Sequence, residues 1–117
     1  MILLTIIFLH IVDDYYLQGI LAQLKQKKFW KDNAPDEMYK HDYIWALIMH
    51  SFSWTFMIML PLFFIGAVGP VFYTVFILNI AIHAIVDDLK ANRFKINLWE
   101  DQLIHMLQII ITFLVFI

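Results

Sequence analysis

Three pairs of histidine and aspartate stand four residues apart in stretches otherwise almost free of charge: His10 with Asp14, His83 with Asp87, and Asp101 with His105. A four-residue step returns to the same face of a helix, so each pair can act as a unit. A further imidazole, His50, lies alone in another such stretch. Imidazole combined with carboxylate is a ligand set for a divalent transition metal, Zn first, with Mn or Fe as the other candidates. The expected ligands are His10, Asp14, His83, Asp87, Asp101 and His105. His50, or an aspartate such as Asp13 that is not a ligand, is expected to act as general base. Asp13 and Asp88 each adjoin another aspartate, and the spacing alone leaves open which member of each doublet faces the site. Gln18, Asn79 and Gln102 continue the same faces and are expected to orient the ligands. The chain has no cysteine, which excludes thiolate ligands and disulfides.

The elements that must position these groups follow from the charge pattern. Of the 117 residues, 62% are hydrophobic, against about 45–50% in typical soluble domains. From Tyr43 to Val86 there is no Asp, Glu, Lys or Arg, a run of 44 residues. One spanning helix needs about 20 apolar residues, so the run is read as two spans. Gly66-Ala67-Val68-Gly69-Pro70 supplies the turn between them, with Pro70 placed to open the next helix. The expected architecture is a single all-α domain, an integral membrane four-helix bundle with spans over 2–18, 43–65, 71–89 and 99–117. An amphipathic interfacial segment is expected over 20–31. The start of the chain lacks a basic n-region and is read as a retained span. A water-soluble domain with a very apolar core is the alternative that composition leaves.

Orientation comes from the basic residues. Lys25, Lys27, Lys28, Lys31 and Lys40 fall between the first two spans, and Lys90, Arg93 and Lys95 between the last two. Both loops are therefore expected in the cytoplasm, with both chain ends outside. At about 1.5 Å per residue, all four spans then carry imidazole or carboxylate at a similar depth in the inner leaflet. A metal would offset the cost of several carboxylates there, since intramembrane charge is tolerated mainly where it faces a bundle interior. The expected location is multi-pass in a bacterial inner membrane.

The order His10-x3-Asp14-x3-Gln18, then His50, then His83-x3-Asp87, then Asp101-Gln102-x2-His105 resembles a domain-of-unknown-function family of small integral membrane proteins of bacteria and their phages. The likeness covers nearly the whole chain. The family often has Gly before the first Asp, where this chain has Asp13. A looser similarity is to membrane-bound metal-dependent hydrolases, by analogy only.

The first functional expectation is a metal-dependent hydrolase acting on a lipid-linked or amphiphilic phosphate or ester. In it a metal lowers the pKa of bound water to about 7, and Lys25, Lys27 and Lys28 attract an anionic headgroup. Membrane lipid is the expected partner and no nucleic acid is expected, while a net charge of −2 by itself names no partner. Two alternatives stand beside it. One is a proton or metal-ion transport component, which would need a homo-oligomer because the polar groups stop about halfway along the spans. The other is a non-catalytic membrane protein in which ion pairs or metal hold thin helices together.

Overall fold

The computed structural model describes all 117 residues, and its regular structure is entirely helical. Six α-helices follow in order: α1 (Ile2–Val12), α2 (Leu21–Leu24), α3 (Lys27–Asn33), α4 (Asp42–Phe64), α5 (Pro70–Ala91) and α6 (Leu98–Phe116). A π-turn, Asp13–Leu17, extends α1, and a 3-10 turn, Glu37–Tyr39, precedes α4. Helix α1 packs against α4 and α6, and α5 also packs against α4 and α6. The four longer helices thus enclose a common interior, while α2 lies across the end of α4.

Local chemistry explains the ends. After α4, Gly66 takes φ 81°. The N–H of Ala67 then reaches the Leu62 carbonyl and that of Gly66 the Phe63 carbonyl, both at 3.0 Å. This paired closure suits a glycine just beyond a helix, and Pro70 starts α5 where its missing N–H costs nothing. At α6, Asn97 accepts from the Glu100 N–H while Glu100 accepts from the Asn97 N–H. Glu100 therefore has a capping role. Asp101 follows in the same first turn.

Three stretches, Glu37–Phe64, Pro70–Ala91 and Leu98–Phe116, are long and apolar enough to cross a membrane. The expected first span is shorter. Its α-helical part has 11 residues, roughly 16 Å against about 30 Å of hydrocarbon, before the π-turn begins. The segment expected as one amphipathic helix over 20–31 is two short helices. Gln26 breaks it by taking extended backbone, φ −96° and ψ 125°. Asn92 at the end of α5 clamps both sides of that break, donating to the Lys25 carbonyl at 3.0 Å and accepting from the Lys27 N–H at 2.6 Å.

Burial runs opposite to that of a water-soluble domain. Of 23 buried residues, 13 are polar or charged. Large apolar side chains line the outside instead, among them Leu4, Phe8, Phe56, Ile77 and Leu107. An apolar cluster of Ile6, Ile58, Met59, Leu62, Phe72 and Ile109 fills the interior on one side of Trp54, and the acids and imidazoles fill the other.

Candidate metal centre

The polar interior is built from one π-turn and three helices. A π-turn accommodates one extra residue, and such turns recur at functional sites. Here it lets two consecutive carboxylates address the same ring. Asp13 Oδ2 lies 3.7 Å from His50 Nδ1, and Asp14 Oδ1 lies 3.2 Å from His50 Nε2. Asp13 is fully buried and accepts the Ser53 hydroxyl through Oδ1. The open choice within this doublet thus has a physical answer: both acids face inward, on opposite edges of His50. In the second doublet only Asp87 does. Asp88 accepts from Asn92 and Arg93 and secures the end of α5.

His50 Nε2, His83 Nε2, Asp14 Oδ1 and Asp87 Oδ2 converge. The two imidazole nitrogens are 3.2 Å apart, and Asp87 Oδ2 is 3.4 Å from His50 Nε2 and 3.7 Å from His83 Nε2. Asp87 Oδ1 turns to His105 Nε2 at 3.1 Å, with Asp101 Oδ1 3.3 Å from that nitrogen. Metal bonds of about 2.0–2.2 Å place ligand atoms roughly 3.0 Å apart at right angles and about 3.4 Å apart at tetrahedral angles. The spacings therefore match the edges of a coordination shell. Two triads, Asp14-His50-His83 and His83-Asp87-His105, each bring one potential ligand atom per residue within 4.8 Å of the other two. They share His83, so they describe neighbouring corners of one site.

Hydrogen bonds at the far side of each ring decide where the lone pairs point. Gln108 Nε2 donates to the Asn79 carbonyl and to Asn79 Oδ1, which leaves Gln108 Oε1 to accept from His105 Nδ1 at 3.2 Å. With its proton on Nδ1, neutral His105 aims the Nε2 lone pair at two carboxylate oxygens. Lone pair against carboxylate is repulsive, so a proton or a metal ion must lie between them. Asp101 Oδ1 is fully buried and has no hydrogen-bond partner. The charges agree: four carboxylates, Asp13, Asp14, Asp87 and Asp101, face two ammonium groups. Lys25 reaches Asp87 at 2.7 Å and Lys90 reaches Asp101 at 3.3 Å. Two negative charges remain, which one divalent cation or two imidazole protons would neutralise. The residues present fit a single divalent ion.

The structure redistributes several expected roles. His10, expected as a ligand, has both nitrogens engaged. Trp54 Nε1–H donates to His10 Nδ1 at 2.7 Å, and His10 Nε2–H donates to Gln102 Oε1 at 3.1 Å. Its nominal partner Asp14 is 3.9 Å away. His50, expected as a base, stands instead among the converging atoms. Asp101 lies beside His105 but outside both triads. Gln102 bridges three of these groups, since its amide N–H groups reach Asp14 Oδ2 at 3.1 Å and Asp101 Oδ2 at 3.0 Å. Gln18 donates to the Asp14 carbonyl at 3.0 Å, and Asn79 reaches His105 only through Gln108.

Two residues without a site role in the sequence reading, Trp54 and Gln108, belong here, and so does Lys25, expected there only to attract an anionic headgroup. Trp54 is fully buried and stacks on His83 at 4.2 Å, and His83 stacks on His105 at 4.1 Å, which fixes both rings. Gln108 sets the tautomer of His105 and was detectable as its neighbour one turn on. Lys25 lies at the start of the basic segment yet is buried, and nothing in its local sequence signals that.

Gln102→Leu should leave His10 Nε2–H and two carboxylate oxygens short of partners. A loss of about 1–3 kcal/mol in stability is expected, together with roughly 10–100-fold weaker zinc binding. Thermal unfolding and chelator competition in detergent measure the two.

Beyond His105 the polar chain continues through Gln108 and Asn79 to Thr112, where Asn79 donates at 2.9 Å. The apolar cluster around Ile109 and Phe72 lies beside and beyond it. Comparison with protein-family models, with curated proteins and with solved structures finds no match.

Proposed function

We propose that this chain is a multi-pass protein of a bacterial inner membrane that binds one divalent transition metal and hydrolyses a phosphate or carboxylic ester of an amphiphile at the cytoplasmic leaflet. The observation that carries the reading is the convergence of His50, His83, His105, Asp14 and Asp87, from four segments of the chain, in two overlapping triads whose potential ligand atoms lie within 4.8 Å of one another. Three imidazoles with carboxylate favour zinc over harder ions. The apolar exterior of α1, α4, α5 and α6 supports a four-helix bundle embedded in lipid. All eight basic residues lie in the two loops at one end, which supports a cytoplasmic position for that end and the opposite side for both chain ends. The order of the His and Asp motifs supports membership in the family of small bacterial and phage membrane proteins that the sequence resembles.

In this reading the ion supplies Lewis acidity and an activated water at neutral pH. Asp13 Oδ2 faces the outer nitrogen of His50 at 3.7 Å, and neither atom has a hydrogen-bond partner. Asp101 Oδ1, buried and without a hydrogen-bond partner 3.3 Å from His105 Nε2, would be the proton acceptor beside such an ion. Trp54 and the apolar cluster keep bulk water from the deep side.

The test is the metal content of protein purified in detergent without chelator and then equilibrated with micromolar zinc. One equivalent of zinc per chain, resistant to gel filtration, is expected. Less than about a tenth of an equivalent would end the metal reading and leave the ion pairs as structural glue. Screening phosphate and carboxylic esters of inner-leaflet lipids with the zinc-loaded protein then tests the hydrolytic step.

A further inference from the structure

At the loop end of the bundle a cavity of about 360 Å³ lies between the π-turn, α2 and the end of α5, lined by Gln18, Lys25, Gln26, Lys90 and Phe94. The two lysines that line it are the same two that touch the site carboxylates, Lys25 on Asp87 and Lys90 on Asp101. The cavity is therefore the outer antechamber of the acid and imidazole cluster.

Its chemistry is that of an anion site. An ammonium group has three N–H donors. Each of these lysines makes one hydrogen bond, to an aspartate, leaving the other donors free. The amides of Gln18 and Gln26 each commit one N–H, to the carbonyls of Asp14 and Ala22, and keep a second, so they add to the donors that the lysines leave free. Lys25 is also preorganised. It is only 5% exposed, and the Asn92 clamp fixes the backbone on both sides of Gln26. A long side chain already held in place loses little entropy on binding.

The rim adds a second feature. Phe94 is exposed and takes φ 54°, an outlier for a bulky residue. The backbone around it is pinned by the Lys95 N–H on the Leu89 carbonyl at 2.9 Å. Leu17 and Ile20, which flank Gln18 and Gly19 in the sequence, are exposed as well. A doubly charged floor beneath an apolar rim matches a phosphate group carried on an apolar body.

We propose that this cavity binds the phosphate group of a phosphate ester, held by Lys25 and Lys90 with its oxygens toward the metal position. The inference rests on the metal reading, because an ion among the carboxylates weakens their hold on the ammonium groups by charge repulsion and turns the lysines toward an anion. The tetrahedral oxygens of a phosphate group can accept from the remaining N–H donors of both lysines while facing the ion.

Zinc-loaded protein in zwitterionic detergent is titrated with inorganic phosphate by calorimetry, using wild type, Lys90→Gln, Lys25→Met and the double variant. Saturable binding in wild type is expected, at least tenfold weaker in each single variant and lost in the double variant. Lys90 is partly exposed, so Lys90→Gln keeps the test valid even where Lys25→Met folds poorly. In nanodiscs, phosphatidic acid that competes with inorganic phosphate, where phosphatidylcholine does not, identifies a lipid headgroup as the source. Absence of competition identifies a water-soluble phosphate ester. Binding unchanged by the substitutions, or no phosphate binding by protein that holds one zinc, overturns the inference and leaves the metal reading intact. Failure to take up zinc overturns both.

Discussion

Asp87→Asn is expected to weaken zinc binding by more than about 100-fold and to destabilise the protein by roughly 3–5 kcal/mol. Asp87 carries more of the site than any other residue. Its two oxygens face Lys25, His50, His83 and His105 at 2.7 to 3.7 Å. Asparagine keeps the shape and removes the charge, so the metal loses an anionic ligand. The Lys25 ammonium meanwhile stays buried without its counter-charge. That second effect arises whether the cluster serves metal or merely glues helices, so the single variant cannot separate the two readings. Asp87→Asn combined with Lys25→Met does. Removing both members of a buried pair is far less costly than removing one, so stability should return to within about 1 kcal/mol of wild type. Zinc affinity should not return. Wild-type zinc affinity in Asp87→Asn would remove Asp87 from the coordination shell and break the proposed centre.

The parts of this site that were legible in the sequence are those resting on regular helical period. Residues 83 and 87 in α5, and 101 and 105 in α6, share a face because those helices are unbroken α through the pairs. The first pair has the same spacing, but the chain passes from α to π between His10 and Asp14. The extra residue in that turn draws Asp13 inward alongside Asp14, and His10 pairs with Trp54 and Gln102 instead. No residue type announces a π-turn, so spacing misleads there. His50 had no local partner, and its neighbours come from other segments: Asp13 and Asp14 from the π-turn, His83 and Asp87 from α5.

Lys25 shows the limit most clearly. Its burial depends on Asn92, 67 residues further along the chain. The flanking residues read as an interfacial basic segment, and Lys27 and Lys28 are indeed exposed. The three later helices were legible to within two residues at each end, because charge-free length is a one-dimensional property. The length of α1 was not, because the chain stays apolar around the place where its hydrogen-bond pattern changes.

Lys25→Met alone should strengthen zinc binding by at least tenfold, which is about 1.4 kcal/mol. Lys25 Nζ sits 2.7 Å from Asp87 Oδ2, an oxygen also directed at His50 and His83, so ammonium and metal compete for one carboxylate. Methionine removes the competitor while retaining most of the apolar stem that packs beneath Asn92. Without zinc, the variant leaves Asp87 facing an unbalanced excess of negative charge, and a loss of about 3–5 kcal/mol is expected. With zinc, the ion takes over the counter-charge. The rise in unfolding temperature on adding zinc should therefore be larger in Lys25→Met than in wild type, since binding to the folded state alone stabilises by mass action. A purely structural ion pair requires the opposite, a variant that is weaker and that zinc does not rescue. Unfolding curves at several zinc concentrations, with chelator competition for affinity, separate these outcomes. Equal or weaker zinc affinity in Lys25→Met would mean that the ammonium and the metal do not share Asp87.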